Sequence, residues 1–203
     1  SIEKFNQDSS IDGIIVQSPL PEKYNEEKIV SYINPKKDVD GFGIVNLGCL
    51  AINQEQLVAA TPLGIIHLLE HYKIEIARKH VVIIGRSKIV GRPLSLLFLN
   101  RDATVTITHS KTKDLKKITS QADILVSAVG KPKFVTENMV KENAVCIDVG
   151  ISRVNNHVIG DMDFENIQSK VSYITPVPGG VGPMTIITLL ENVYENAVKR
   201  KEE

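Results

Sequence analysis

The chain has 203 residues, and its charges balance, with 24 lysines and arginines against 24 aspartates and glutamates. This length suits one large domain or two small ones, and a composition of 42% hydrophobic and 24% charged residues indicates a packed core rather than disorder. A net charge of zero argues against a nucleic-acid-binding protein and against binding to an anionic membrane surface, and it leaves open only a local basic patch.

The two cysteines, Cys49 and Cys146, indicate a reducing compartment rather than a disulfide framework or a zinc site. Cys146 lies in an apolar run and is predicted to be a buried thiol in a strand. No apolar stretch reaches membrane-spanning length, and no signal-peptide core opens the chain. We therefore expect a cytoplasmic protein, or an organellar one whose targeting peptide has been removed. The first residue is serine, as expected of a processed, trimmed or fragmentary chain.

The first third of the sequence predicts four elements. An apolar run at 14–16 predicts a strand that ends in a proline-rich turn. The acidic first turn of 25–33 predicts a short helix, because negative charge stabilises a helix N-terminus. Residues 34–43 predict a loop. Residues 61–74 predict an amphipathic helix with Thr61 as its N-cap and a proline at the first helical position.

The rest of the chain alternates apolar runs with helical patterns. Strands are predicted at 80–85, 103–109, 123–130, 144–150 and 171–177. Helices are predicted at 93–100, 113–122 and 136–143. Strands separated by helical crossovers predict an α/β fold, a Rossmann-type doubly wound parallel sheet covered on both faces.

The final helical pattern is opened by Pro183 and ends in a basic last turn, which suits the helix dipole. The stretch before residue 60 is too short for a complete second domain. We therefore expect residues 60–183 to form the Rossmann domain. Residues 1–59 would be the remnant of a second α/β domain, completed by the C-terminal helix 184–203.

The stretch VVIIGRSKIVGRP, residues 81–93, has the layout of a phosphate site without the usual glycine pattern. Gly85 and Gly91 are too far apart for G-x-G-x-x-G. The order of strand, glycine, loop and helix nevertheless places backbone N–H groups at a helix N-terminus, where anions bind. The alternative is a plain turn between a strand and a helix.

The end of the next strand distinguishes between nicotinamide cofactors. NAD-binding domains usually carry an acidic residue there, about 20 residues past the glycine loop, to hold the ribose hydroxyls. Here the strand ends in HSKT, residues 109–112, and Arg86 lies in the facing loop. Arginine with hydroxyl groups suits a 2′-phosphate, so the sequence predicts NADP. Lys88, Lys111 and Arg92 are more simply explained as solvated surface.

Three further features are candidates for binding. The stretch TPVPGGVGPMT, residues 175–185, places three glycines before a helix at the sheet edge where ligands lie, unless it is only a sharp connection. Gln17 leaves a strand end as a neutral donor and acceptor. Asp40 could accept two hydrogen bonds from an amino-amidine edge such as that of a pterin, whereas Asp38 and Asp40 alone would most often be turn residues.

These motifs together are similar to those of the methylenetetrahydrofolate dehydrogenase/methenyltetrahydrofolate cyclohydrolase family. The segments that carry the resemblance are VQSPLP, KDVDGF, TPLG, GRSKIVGRP, ATVTITHSKT, ADILVSAVGKP, IDVGI, GDMDF and TPVPGGVGPMT. They occur in the family's order over essentially the whole chain, and the second glycine cluster is highly specific.

The resemblance implies NADP-dependent oxidation of 5,10-methylenetetrahydrofolate to the methenyl form and hydrolysis to 10-formyltetrahydrofolate, in one-carbon metabolism and purine biosynthesis. It implies a homodimer, a folate substrate and no metal. The implied NADP-binding residues are Gly85, Arg86, Ser87, Ser110 and Ile151. The implied folate-binding residues are Val16, Gln17, Ser18, Asp40, Pro178, Gly179, Gly180, Val181, Gly182, Pro183, Met184 and Thr185. Of these, Asp40 would recognise the pterin and Gln17 would assist the catalytic base.

One departure from the family pattern concerns the general acid/base. The family carries a tyrosine and a lysine on a helix of its first segment, and this sequence begins after that segment, with Lys4 in a different element. Proton transfer by a positioned side chain contributes about 100- to 10,000-fold, so this chain is expected to be a poor cyclohydrolase. The alternative is an NADP-binding fragment without turnover.

A second alternative is a hydroxy-acid dehydrogenase built on the same sheet. Its sequence support is limited to His67 and His71, four residues apart on one helix and therefore a candidate metal pair. No third ligand accompanies them, and polar residues at this spacing usually mark a solvated face.

Overall fold

The computed structural model describes residues 1–202 and divides into two compact units. The first unit comprises Ser1–Ala60 together with the segment from Ile186 onward, and the second comprises Thr61–Thr185. Among the described residues, no helix is both long and apolar enough to cross a bilayer.

Short helices and irregular segments make up the first unit. Its helices are α1 (Ile2–Gln7), α2 (Glu26–Val30) and α3 (Ile44–Ala51), with a 3₁₀ turn at Pro35–Lys37. Asn25 caps α2, since its side chain accepts a hydrogen bond from the N–H of Lys28 at 3.0 Å. Helix α2 is shorter than predicted, and α1 and α3 were not predicted.

The strand predicted at 14–16 is wrong. Ile14 forms a single parallel bridge with Asp38, and its N–H donates to the carbonyl oxygen of Lys37 at 2.7 Å. The partner segment lies between the 3₁₀ turn and a tight turn at Gly41, so only one residue of it is extended enough to pair.

The second unit carries the sheet. The elements of its first half are α4 (Ala60–His71), β1 (His80–Ile84), α5 (Gly91–Leu99), β2 (Thr104–Thr108), α6 (Leu115–Thr119) and β3 (Ile124–Ser127). Those of its second half are β4 (Val145–Asp148), β5 (Ser152–Val154), β6 (His157–Ile159), α7 (Phe164–Ile167) and β7 (Tyr173–Ile174). A final helix, α8 (Val181–Glu202), begins at the end of this unit.

Five of these strands form one parallel sheet in the order β2-β1-β3-β4-β7. From β1 the chain passes to β2, which is an edge strand, and it then crosses back over β1 to form β3 on the other side. This is a doubly wound arrangement with its switch point between β1 and β3. The predicted fold class is confirmed. Strands β5 and β6 form a separate antiparallel hairpin.

Several predicted boundaries are wrong for local reasons. The helix predicted at 136–143 is only a 3₁₀ turn, Glu137–Met139, because the preceding Val135 pairs with Met162 in an extended bridge. The strand predicted at 171–177 is reduced to β7, since the prolines that follow it have no N–H for the ladder. Thr61 is not the N-cap of α4, which begins at Ala60.

The core of the second unit lies on both faces of the sheet. Alternate residues of β1 face opposite sides, and Val81 to Ile84 are all buried. On one face Val82 packs in a cluster that includes Leu125 and Ile167. Each fully buried side chain of this kind stabilises the fold by about 1.5–3 kcal/mol.

Cys146 of β4 belongs to the same cluster and is buried as predicted. Burial raises the pKa of the Cys146 thiol to about 12, so it remains a neutral apolar group at physiological pH.

Candidate functional site

A tight glycine-bounded loop follows β1 at the switch point of the sheet. Gly85 has a φ of +120°, and a Cβ added to it would lie 2.5 Å from the carbonyl oxygen of Ala128. A Cβ added to Gly91 would collide with the carbonyl oxygen of Gly85. Both positions therefore require glycine, and the loop folds back on itself at the edge where ligands of doubly wound sheets bind.

Ser87 caps helix α5 from within this loop. Its hydroxyl oxygen accepts hydrogen bonds from the N–H groups of Val90 at 3.1 Å and Gly91 at 3.3 Å. Its carbonyl oxygen accepts from the N–H of Arg92 at 3.0 Å. The hydroxyl proton of Ser87 is left to donate to a ligand, beside the partial positive charge of the helix N-terminus. The arrangement suits an anion.

The turn after β2 presents hydroxyl and cationic groups. Thr112 closes this turn, because its side-chain oxygen accepts from the N–H of His109 at 2.9 Å and its own N–H donates to the His109 carbonyl at 2.8 Å. Ser110 lies exposed within the turn, and Arg86 is exposed after the neighbouring strand β1. Since no acidic residue stands among residues 109–112, this corner favours a phosphate over two ribose hydroxyls.

The edge of β3 and β4 contains two buried carboxylates that the sequence reasoning missed, Asp148 and Asp161. Burial raises the pKa of Asp148 to about 6, against the opposing effect of hydrogen bonds from backbone N–H groups. The motifs IDVG and GDMDF each contain an acidic residue close to a glycine, but the motifs alone do not show which groups surround that residue. Ile151, predicted to bind the cofactor, follows β4 and is exposed.

The second glycine cluster leads into α8. Gly179 has a φ of +101°, Val181 begins the helix and is buried, and the hydroxyl of Thr185 lies 2.9 Å from that of Thr61. The cluster borders a cavity of about 310 Å³ in the second unit. Residues from the cluster that line it are Gly179, Gly180, Pro183 and Met184.

In the first unit, the residues predicted to bind folate lie on two adjacent segments. The bridge between Ile14 and Asp38 aligns the segment of Val16, Gln17 and Ser18 with that of Asp40. The amide nitrogen of Gln17 donates to the carbonyl oxygen of Ser18 at 3.2 Å, and Gln17 is exposed. The hydroxyl of Ser18 donates to Oε1 of Glu26 at 2.6 Å, which anchors this segment to α2.

Asp40 is a carboxyl group with an elevated proton affinity. Desolvation by partial burial raises its pKa to about 6, and the negative charge of nearby Asp38 adds to the rise. The carboxylate of Asp38 accepts from the N–H of Gly43 at 2.7 Å and from the side chain of Asn46 at 3.0 Å. Asp40 is therefore a half-buried acceptor next to a fixed carboxylate, as recognition of a hydrogen-bond donor pair requires.

The metal pair considered for α4 gains no support. Among residues 1–202, no group of three or more histidine, cysteine or acidic side chains is arranged to hold a metal ion.

Two family profiles match the sequence. The profile described as the catalytic domain of tetrahydrofolate dehydrogenase/cyclohydrolase matches residues 1–40, and that of the NAD(P)-binding domain matches residues 59–201. The chain belongs to the tetrahydrofolate dehydrogenase/cyclohydrolase family. The resemblance read from the sequence motifs is thereby confirmed.

Curated relatives and solved structures agree with this family membership. The bifunctional protein FolD of Acholeplasma laidlawii is 56% identical over 100% of this chain, which spans 73% of that relative. The structure of a bifunctional methylenetetrahydrofolate dehydrogenase/cyclohydrolase from Campylobacter jejuni superposes with a TM-score of 0.97 at 47% identity, over 98% of this chain and 71% of that one. A Trypanosoma brucei family structure, complexed with NADP and an inhibitor, gives 0.91 at 36% identity, over 98% of this chain and 70% of that one.

Within this family the general acid/base is expected to be a lysine outside the matched motifs. Lys4, the lysine nearest the start of the chain, lies on helix α1, and its side chain is exposed. The sequence-based expectation that Lys4 belongs to a different element from the family's lysine stays a prediction.

Proposed function

We propose that this chain catalyses NADP-dependent oxidation of 5,10-methylenetetrahydrofolate to 5,10-methenyltetrahydrofolate, and hydrolysis of that product to 10-formyltetrahydrofolate. The chemistry belongs to one-carbon metabolism and feeds purine biosynthesis. The observation that carries the proposal is the corner between β1 and β2, where a glycine-bounded loop, Arg86 and the turn at residues 109–112 meet without an acidic residue.

NADP is the cofactor, and when bound it accepts the hydride in the first reaction. We assign its phosphates to the loop of Gly85 and Ser87, where the hydroxyl of Ser87 can donate while it caps α5. Arg86 and Ser110 would bind the 2′-phosphate, because a guanidinium and a hydroxyl offer it several donors. Exposed Ile151 would supply an apolar contact.

We assign parts of folate recognition to residues of the first unit and parts to residues of the second. In the first unit Asp40 would accept hydrogen bonds from the pterin amino-amidine edge. The segment of Val16, Gln17 and Ser18 would lie along the substrate, with Gln17 assisting the catalytic base. In the second unit residues 178–185 would contribute a glycine-rich surface that a flat ring can approach closely.

The two reactions balance as a hydride transfer followed by addition of water. The one-carbon unit of the folate loses a hydride and becomes a cation, and NADP is reduced. Water then adds to that carbon, one carbon–nitrogen bond breaks, and a proton is released. For the first step the protein needs only position and electrostatics, whereas the second benefits from a general base.

The deciding experiment follows NADPH formation by the purified 203-residue chain supplied with methylenetetrahydrofolate. A parallel assay follows the loss of methenyltetrahydrofolate. We expect substrate-dependent NADP reduction, with hydrolysis much slower than reduction. Saturable NADP binding without any reduction would contradict the dehydrogenase proposal and leave only an NADP-binding polypeptide.

We also propose the organisation of the molecule. Residues 60–183 would be the NADP domain, and residues 1–59 with the helix 184–203 would belong to the folate-binding and catalytic domain. The division of the structure into Ser1–Ala60 with the segment from Ile186 onward, and Thr61–Thr185, supports this assignment. The family profiles support the boundary before residue 59, but the NAD(P)-binding profile continues through the last helix to residue 201.

The proposed assembly is a homodimer without nucleic-acid or membrane partners. The family resemblance supports the dimer, and the balanced charge is in keeping with the absence of polyanionic partners. Free Cys49 and Cys146 suit the reducing cytoplasm. Sedimentation of the purified chain at a single mass twice that of the monomer is the expected result, and a monomer at all concentrations would contradict it.

A further inference from the structure

Two buried carboxylates lie at the carboxyl edge of the sheet. Asp148 ends β4 and is 3% exposed, while Asp161 follows β6 and is 0% exposed. In the described part of the chain, every hydrogen-bond donor to either group is a backbone N–H or a hydroxyl. A buried carboxylate without a cation is unfavourable unless hydrogen bonds saturate it, so the groups that donate to this pair determine whether it can stay buried.

Asp161 gathers the loop that follows β3. Its Oδ2 accepts hydrogen bonds from the hydroxyl of Ser127 at 3.0 Å and from the N–H groups of Val129 at 2.7 Å and Gly130 at 3.3 Å. Its Oδ1 accepts from the N–H of Lys131 at 2.7 Å. Three consecutive amides therefore point at one side chain, and this fixes the path of the loop.

Asp148 performs the same task for the turn after β4. It accepts from the N–H groups of Gly150 at 3.1 Å, Asp161 at 2.9 Å and Met162 at 2.8 Å. The first bond sets the turn that precedes Ile151, and the other two hold the segment that carries Asp161.

A separate bond joins the two loops. The hydroxyl of Ser152 donates to the carbonyl oxygen of Gly130 at 3.1 Å. The loops after β3 and β4 are therefore one hydrogen-bonded structure rather than two independent ones.

Two glycines make room for the carboxylates. A Cβ on Gly150 would collide with the carboxyl group of Asp161, and a Cβ on Gly160 would collide with that of Asp148. Neither glycine has a positive φ, so the requirement is steric; at Gly160 the side chain of Val177, 2.8 Å from an added Cβ, contributes beside the carboxylate. The glycine of each segment thus leaves room for the carboxylate of the other: Gly150 for Asp161, and Gly160 for Asp148.

We propose that Asp148 and Asp161 are positioning residues for the cofactor, holding the loops 129–131 and 149–151 at the edge of the sheet where NADP binds. The loop after β3 contacts the phosphate loop, because Gly85 packs against the carbonyl group of Ala128. Loops that are already ordered do not have to be ordered by the ligand, and affinity rises accordingly. The inference rests on the NADP assignment made above.

The test is direct titration of NADP with Asp161→Asn, a variant of the same shape in which an N–H₂ group replaces one acceptor oxygen. We expect the Kd for NADP to rise about 10- to 100-fold, the range for lost hydrogen bonds to a charged group. In the cofactor-free chain, hydrogen exchange should show loss of protection at residues 129–131 and unchanged protection at Val82 and Leu125. An unchanged Kd in the folded variant would overturn the proposal.

Asp123→Asn is the matched control. Asp123 immediately precedes β3 and accepts from the N–H of His80 at 2.8 Å and from the ammonium group of Lys141, but it lies at the opposite edge of the sheet. Its loss should leave the Kd for NADP within about twofold, since the loops after β3 and β4 keep all their bonds. An increase equal to that of Asp161→Asn would show a general effect of lost carboxylates and overturn the positioning role.

Two further variants keep the test decisive if Asp161→Asn does not fold. Ser127→Ala removes one of the four bonds and should raise the Kd about 3- to 10-fold. Gly150→Ala keeps both charges but displaces the Asp161 carboxylate, and it should also weaken NADP. Wild-type affinity in both would overturn the proposal. Failure of the wild-type chain itself to bind NADP would instead refute the NADP assignment on which the inference rests.

Discussion

The two units hold their irregular backbone in opposite ways. In the second unit, loops at the sheet edge present N–H groups, and the buried acceptors Asp148 and Asp161 bind them. In the first unit, buried Asp38 also binds an N–H group, that of Gly43, but most of the irregular segments held by buried side chains present carbonyl groups, and buried donors bind them. Asn192 donates to the carbonyl oxygens of Val39 at 2.9 Å and Val58 at 2.8 Å.

Other side chains of the first unit repeat this pattern. Asn196 donates to the carbonyl oxygens of Asp12 and Lys36, and the ammonium group of buried Lys37 donates to those of Phe5 and Asp8. The difference shows that buried backbone groups outside helices and sheets still need a hydrogen-bond partner. A buried acceptor is found where the backbone presents N–H groups, and a buried donor where it presents carbonyl groups.

The largest effect is expected from removing one of the buried donor side chains of the first unit. Asn192→Leu retains the volume but leaves the buried carbonyl groups of Val39 and Val58 unsatisfied. Each costs about 1–3 kcal/mol, so we expect a loss of roughly 2–5 kcal/mol in the free energy of unfolding, measured by denaturant titration. Glu195→Gln, which breaks only an exposed pair with Lys199, should change it by less than about 0.5 kcal/mol. Equal losses in the two variants would contradict this account.

The next prediction concerns the phosphate loop. In Gly91→Ala the new methyl group meets the carbonyl oxygen of Gly85, which is backbone and cannot move aside. The loop must open, and NADP affinity should fall about 100-fold, as expected for a displacement near 1 Å. Gly48→Ala is the control, because an added Cβ there has nothing within 4 Å. Wild-type NADP affinity in Gly91→Ala would show that the loop is not part of the cofactor site.

A smaller and more selective effect is expected at Arg86. Arg86→Ala should weaken NADP about 10-fold or more and NAD by much less, because only NADP carries the 2′-phosphate. Isothermal titration with each cofactor gives the ratio. Lys113→Ala, an exposed lysine in the same region, controls for the general loss of positive charge and should affect both cofactors equally and slightly. Equal losses in Arg86→Ala would contradict the 2′-phosphate assignment.

The smallest effect is a pH dependence in the first unit. The raised pKa of Asp40, about 6, means that its ionised form dominates above that pH and is lost as the pH falls through it. The KM for the folate substrate should therefore rise toward about 10-fold between pH 7 and pH 5, because the protonated carboxyl accepts fewer hydrogen bonds. Asp40→Asn should have a high KM that no longer follows this titration. An unchanged pH profile in Asp40→Asn would exclude Asp40 as the cause.

The sequence predicted the strands better than the loops for a physical reason. Strands β1, β3 and β4 are buried on both faces, so each one appears as a continuous apolar run, whereas β2 is mostly exposed or half-buried and alternates threonine with apolar residues. Helix α1 and the β5–β6 hairpin have no comparable run, and they were missed. Helix α3 was also missed, although its residues are largely apolar. Their positions depend on bonds between distant residues, such as that of Lys37 to the carbonyl group of Phe5 on α1, 32 positions earlier.

The residues of the candidate site also differ in how far the sequence alone could identify them. Arg86, Ser110 and Asp40 could be selected from sequence because each has an exposed or half-exposed group beside a turn. Asp148 and Asp161 could not, because what distinguishes them is the set of amides that converge on them in three dimensions.

The central claim is that the corner between β1 and β2 is built for NADP. The most direct measurement is a pair of titrations of the unmodified chain, one with NADP and one with NAD, at the same ionic strength. The account predicts saturable binding of NADP with at least about tenfold preference over NAD, since a bound phosphate adds charge-assisted hydrogen bonds. Equal affinity for the two cofactors, or no binding of NADP, would contradict it.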